Sequence, residues 1–159
     1  MKLFTVPRTA IRVIFRTRGE HRPPHVHVMN REVPWEAKVR FSFVEDHDFE
    51  VLEIDPEANE PSASTVRDVL AAISAEIVLL RRRWWETFGT TCLEGKWVRE
   101  LPRAEEQPQF EVLKGWHKGA MRAEVVVFDP ASVVMRFTLA DGRAFEAMAG
   151  QGRDLSDRD

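Results

Sequence analysis

Residues 20–28 read Glu20-His21-Arg22-Pro23-Pro24-His25-Val26-His27-Val28, EHRPPHVHV, and the run His25 to Val28 decides the fold. Polar and apolar residues that alternate with a period of two mark a strand with one buried face. The two valines therefore point inward and both imidazoles outward. The stretch before it, from Gly19 to Pro24, has the composition of a turn.

Reading outward, Ile11 to Arg18 repeats the pattern, with Ile11, Val13 and Phe15 on one side and Arg12, Arg16 and Arg18 on the other. Ala37 to Val44 does so again, with Val39, Phe41 and Phe43 inward and Lys38, Arg40 and Ser42 outward. A fourth strand-like run, Phe49 to Ile54, loses strict alternation at Leu52-Glu53, where a bulge is expected. After the proline-marked loop from Pro56 to Ser64 the period changes. Val66, Val69, Leu70, Ile73, Ile77, Leu80, Trp84 and Phe88 recur at three- and four-residue spacing, which predicts one long amphipathic helix. It is expected to start at Thr65, with Asp68 three positions on, and to end at Gly89. Arg81, Arg82 and Arg83 are read as cations in its last turns.

Residues 99–109, RELPRAEEQPQ, have two prolines and few apolar side chains and are read as a linker. Beyond it, Phe110–Leu113, Ala123–Phe128, Val133–Leu139 and Ala144–Met148 are strand candidates. Asp141-Gly142 supplies a strong hairpin signal between the last two. The expected architecture is α+β: a mostly antiparallel sheet packed on one long helix over 1–98, a linker over 99–109, a small β-meander module over 110–149, and a disordered tail over 150–159.

The 159 residues carry 23 Lys/Arg and 26 Asp/Glu, a net charge of −3 that conceals an uneven distribution. Residues 1–44 hold 9 basic side chains against 3 acidic ones, whereas 45–61 hold 8 acidic and no basic residue. That pairing fits either a solvated acidic loop or a phosphate-binding surface with a shielding neighbour. A lone cysteine, Cys92, excludes an internal disulfide or a thiolate zinc cage. No apolar run is long enough to span a bilayer, and residues 1–7 do not resemble a signal peptide, so a cytoplasmic, membrane-free protein is expected. There is no GxxxxGK[ST] loop, GxGxxG fingerprint or GxSxG elbow, and no cofactor is predicted.

Two residues apart on a strand, His25 and His27 project from the same face roughly 6–7 Å apart and can converge on one ligand. Three readings stay open. The pair transfers protons or contacts phosphate, acting as catalytic residues. Alternatively it belongs to a metal site, for which Glu20, His21 and His47 are the nearest further ligands, although no metal is assigned. Or it is purely structural. The histidine-triad hydrolase arrangement H-x-H-x-H is excluded because Met29 stands at the nucleophile's position. For binding, Arg12, Arg16, Arg18, Lys38 and Arg40 join the two histidines in a cationic sheet face suited to RNA phosphates. A merely wet sheet face is the alternative. The five tryptophans are read chiefly as core or domain-contact residues.

The run from Ile11 to Trp97 resembles the bacterial family called domain of unknown function 4160. The resemblance rests on Glu20-His21, Pro23-Pro24-His25-Val26-His27, Leu79-Leu80, Trp84 or Trp85, and Phe88-Gly89. It implies an α+β fold and no established activity. Residues 122–149, with Phe137-Thr-Leu-Ala-Asp-Gly-Arg143, are similar to the front half of a second family, domain of unknown function 2442. Members of the two are often neighbours in arrangements like toxin–antitoxin pairs. The resemblance thus implies a toxin–antitoxin-like or mobile-element-associated protein that engages RNA or a protein partner, with the C-terminal module able to dock on the first domain. The alternative is a non-enzymatic interaction or inhibitor module with structural histidines.

Overall fold

Five strands come first along the chain in the computed structural model, which describes residues 1–18 and 22–156. They are β1 (Lys2–Thr5), β2 (Ile11–Ile14), β3 (His25–Asn30), β4 (Trp35–Arg40) and β5 (Glu50–Asp55). Each pairs antiparallel with its sequence neighbour, giving the order β1-β2-β3-β4-β5. Short connections make this the least costly topology, because each hairpin closes its loop before the next strand is added. The alternation read from the sequence holds within the strands: Val13 pairs with Val28, Val28 with Ala37, and Val26 with Val39, and all five are buried, whereas Ser42, expected to face outward, lies beyond the end of β4 and is buried. The ladder between β4 and β5 shifts register between Lys38↔Glu53 and Val39↔Val51, so the extra residue falls at Leu52, where the alternation breaks.

The helical stripe forms two helices, α1 (Ala63–Ala75) and α2 (Ile77–Phe88), in place of the single one expected. Glu76 divides them with a non-helical ψ of 17°, although its N–H still reaches Ala72 O and Ile73 O and its carbonyl accepts from Leu80 N. The spacing of apolar residues carries on through the break, which is why periodicity alone did not reveal it. Ser62, three residues before the expected cap, starts α1: its Oγ accepts from Thr65 N at 3.1 Å. Val69 and Ile73 face inward, and Val66, Val69 and Leu70 meet Val28, Val39, Val51 and Ile54 around a small apolar crevice. α1 therefore covers the valine face of the sheet and leaves the histidine face outside.

Six further strands form the second sheet: β6 (Trp97–Glu100), β7 (Phe110–Leu113), β8 (Met121–Asp129), β9 (Val134–Leu139), β10 (Ala144–Met148) and β11 (Gly152–Asp154). Their order is β10-β9-β8-β6-β7-β11, antiparallel except for the parallel pair β11 and β7. β8, β9 and β10 form a meander, with the β9–β10 turn at Asp141-Gly142 and Gly142 at φ +86°, whereas the fourth strand expected in it, Phe110–Leu113, is β7 and is separated from β8 by β6. The core here is aromatic: Phe110, Phe128, Phe137 and Phe145 are buried, with Phe137 stacked on Phe145 at 4.6 Å.

The chain divides into two compact units elsewhere than expected. One comprises 1–42 with 47–83, the other 43–46 with 84–159. Residues 99–109 thus lie inside the second unit: Arg99 and Glu100 are in β6, and Leu101 N donates to Gln109 O. The alternating run 37–44 is split, because Phe43 O and Val44 O accept from Gly150 N and Gly152 N of the second unit. The expected tail is ordered through Ser156. Gly152–Asp154 is a strand, and Leu155 N donates to Val112 O. Residues 157–159 lie outside the described residues, as do Gly19, Glu20 and His21, on which part of the turn and two of the possible metal ligands fell. No helix among the described residues is long and apolar enough to cross a membrane.

Candidate functional site

β3 carries both imidazoles on the face opposite Val26 and Val28, as the pattern predicts, but they are less open than an outward-pointing residue suggests. His25 is 8% exposed and the His27 side chain 12%. The rings lie edge to face, 5.2 Å between centroids. His25 Nδ1 lies 2.7 Å from the Pro23 carbonyl oxygen, which can only accept, so Nδ1 carries a proton and donates it there. Pro24 O meanwhile accepts from Phe41 N, which fixes the proline pair against the end of β4.

His27 is oriented in the same way by a carboxylate. Its Nδ1 lies 2.8 Å from Glu36 Oε1 on β4, and Arg16 donates to that oxygen through Nε at 3.1 Å and through Nη2. Because Glu36 accepts from His27 Nδ1–H, the 3.4 Å approach of Arg16 Nε to His27 Nδ1 brings two donors together and does not count as a hydrogen bond in this tautomer. Burial pulls the His27 pKa below its ordinary value, helped by the neighbouring His25 and Arg16 and only partly opposed by Glu36. The imidazole is neutral near pH 7. Burial alone would raise the Glu36 carboxyl. The hydrogen bonds and charges of Arg16 and His27 outweigh it and hold the group below the usual carboxylate range. The result is a carboxylate–imidazole pair whose Nδ1 proton is anchored and whose basic atom is Nε2.

The cationic face turns out to be largely neutralised. Arg40, opposite His25, donates to both carboxylate oxygens of Asp48 at 2.9 and 3.2 Å and to Glu50 at 3.2 Å. Those partners outweigh the effect of burial and raise its pKa. Lys38, opposite His27, lies 3.8 Å from Glu53. Arg16 is paired with Glu36. The acidic run 45–61 is thus in part the counter-charge of this face, because the β4–β5 ladder sets Glu50 and Glu53 beside Arg40 and Lys38. Among the described residues Arg12 and Arg18 make no ion pair. Arg12 is half-buried in β2 and Arg18 is exposed beyond its end.

His47 belongs elsewhere: its Nδ1 meets Ser74 Oγ of α1, on the helix that covers the opposite face of the sheet. Among the described residues no three His, Cys, Asp or Glu side chains are placed to hold a metal ion. Glu36 is the residue that sequence reasoning missed. Its signal was present, since it shares the outward parity of Lys38 and Arg40, but a search for cations passes over an acid. Of the tryptophans, Trp35 and Trp84 are buried, Trp85 and Trp97 half-buried, and Trp116 is 71% exposed. Arg81 is not in the last turn of α2; it is buried at mid-helix and donates from Nε to Ser42 O at 2.9 Å.

No family model matches the chain, and no curated protein or solved structure does either.

Proposed function

We propose that the first unit engages RNA through its His25/His27 face, in the toxin–antitoxin-like or mobile-element-associated setting that the sequence resemblance implies. The supporting observation is the Glu36–His27 pair: a neutral imidazole, its Nδ1–H held by a carboxylate, on the polar face of a sheet beside Arg16. In this reading Nε2 of His27 takes the proton of a ribose 2′-hydroxyl, whose oxygen attacks the adjacent phosphorus. The P–O5′ bond breaks, and protonated His25 returns a proton to the leaving oxygen. Arg12, Arg16 and Arg18 supply charge for the phosphates, and Lys38 and Arg40 hold the face through their own carboxylate partners.

The test is a purified-protein assay on single-stranded RNA of mixed sequence and on the same sequence with 2′-deoxyribose. Expected are cleavage of the RNA alone and a loss of roughly 10²- to 10⁴-fold in rate for His27→Ala, at an unchanged fold by circular dichroism. Neither binding nor cleavage of RNA by the wild-type chain would overturn the reading.

One observation favours a non-enzymatic interaction module instead. Arg16, Lys38 and Arg40 each already hold a carboxylate, so the face offers less net charge than its sequence suggests. If His25→Ala and His27→Ala lower the melting temperature and change no RNA-dependent signal, the histidines are structural.

A further inference from the structure

In the second unit, residues 112–123, VLKGWHKGAMRA, contain Lys114, Lys118, Arg122 and His117 and no acidic residue. Their centre is the β7–β8 loop. Trp116 at its tip is 71% exposed, the most exposed of the large apolar side chains described. Lys114, His117 and Lys118 around it are exposed as well.

The loop is braced. His117 Nδ1–H donates to Gly115 O at 3.1 Å, Ala120 N–H donates to His117 O at 2.9 Å, and the Arg99 guanidinium donates to Lys118 O at 3.0 Å. These bonds close a tight turn on both sides of the indole, so Trp116 is presented to solvent by a shaped loop. β6 lies between β7 and β8, and its first residue, Trp97, pairs with Leu113 on one side and Arg122 on the other. The loop therefore spans the Trp97 end of β6, where the Arg122 guanidinium sits 5.2 Å from the indole centre. Beside it Arg99 and Arg153 share Glu111, which leaves that patch with surplus positive charge.

We infer that the Trp116 loop is a stacking platform for single-stranded nucleic acid, with Trp116 taking a base and Lys114, Lys118 and Arg122 taking the flanking phosphates. An open aromatic face set among cations is the combination that binds single strands without reading their sequence. A lone indole with no neighbouring exposed apolar side chain on its loop offers little to a bilayer, which is bound through an extended apolar face. This inference is independent of the His25/His27 reading, since it uses only residues of the second unit.

The experiment titrates the full chain with a fluorescently labelled single-stranded RNA 12-mer, following anisotropy and tryptophan emission. It compares wild type, Trp116→Ala, Trp116→Phe and the double variant Lys114→Ala/Lys118→Ala. All four are repeated in a His25→Ala/His27→Ala background so that contacts by the first unit do not mask the result. Expected are quenching of the red-shifted emission of an exposed indole, affinity lower by roughly 5- to 150-fold in Trp116→Ala, and substantial retention in Trp116→Phe. The lysine variant should flatten the slope of log affinity against log salt by about 1.4, the share of two phosphates on a single strand. Equal affinity for wild type and Trp116→Ala, or no quenching, would overturn the inference. So would an emission shift produced by anionic lipid vesicles and not by the oligonucleotide. Melting temperatures close to wild type keep the readout on binding, because Trp116 lies outside the core.

Discussion

His27 Nδ1 and Glu36 Oε1 lie 2.8 Å apart across the β3–β4 ladder on a diagonal, since His27 faces Lys38 directly and Glu36 faces Met29. Diagonal partners on one face are within reach of long side chains, and the Glu36 carboxylate uses that reach to orient the ring. The proton on Nδ1 is thus tied to the register of two strands, and Nε2 is left as the atom that can act as a base.

This pair makes stability depend on pH in a definite direction. The His27 pKa is lower in the folded chain than its ordinary value of 6.5, so the unfolded chain binds the proton more readily. Its contribution is fully present above 6.5, diminishes as the pH falls below 6.5, and is lost once the pH passes below the folded pKa. Glu36 acts in the same sense lower down: its folded pKa is below 4.5, and its contribution disappears as the pH falls from 4.5 through that folded value. Melting temperatures of wild type and His27→Ala measured from pH 8 to 4 should converge as the pH falls below 6.5. Curves that run parallel would contradict the assignment.

For Glu36→Gln the expected change is in the pH profile as well as the rate. Removing the carboxylate deletes the two influences that raise the His27 pKa while its burial remains. The acid limb of any RNA-dependent activity should therefore move to lower pH, with a rate reduced by about tenfold or more because the ring is less firmly oriented. A reduced rate with an unmoved limb would mean that the limb belongs to another group.

Arg81 tests the reading of α2. It is 2% exposed and donates to the Ser42 carbonyl at 2.9 Å. Arg81→Met should cost about 1–3 kcal/mol, since a buried hydrogen bond from a charged donor is lost. Exposed Arg82→Ala should stay within about 0.5 kcal/mol. Urea unfolding followed by helical circular dichroism would measure both, and equal effects would argue against the buried contact.

Gly152 tests the ordering of the C-terminal strand. It is in register with Phe110 in the parallel β11–β7 ladder, and a Cβ there would collide with three atoms of the Phe110 ring. Gly152→Ala should destabilise the second unit by about 1–3 kcal/mol, because the buried ring must shift. Gly115→Ala, where a Cβ meets open space, is the control and should be close to neutral in the same melt.

The sequence by itself determined the local parities. A period of two over His25–Val28 and Ala37–Arg40 put valines on one face and imidazoles on the other, the break at Leu52 located the bulge, and Asp141-Gly142 located a hairpin. These are properties of neighbouring residues, set by backbone geometry. Only the tertiary structure decided what lies opposite each side chain. It placed Glu36 on His27, set the acidic run beside Lys38 and Arg40, and buried His25 where parity predicted only an outward direction. It also gave Phe43 and Val44 hydrogen-bond partners more than a hundred residues downstream and turned the expected linker and tail into parts of a sheet. Such pairings depend on which backbone groups become neighbours once distant segments meet, and no short-range pattern encodes that choice.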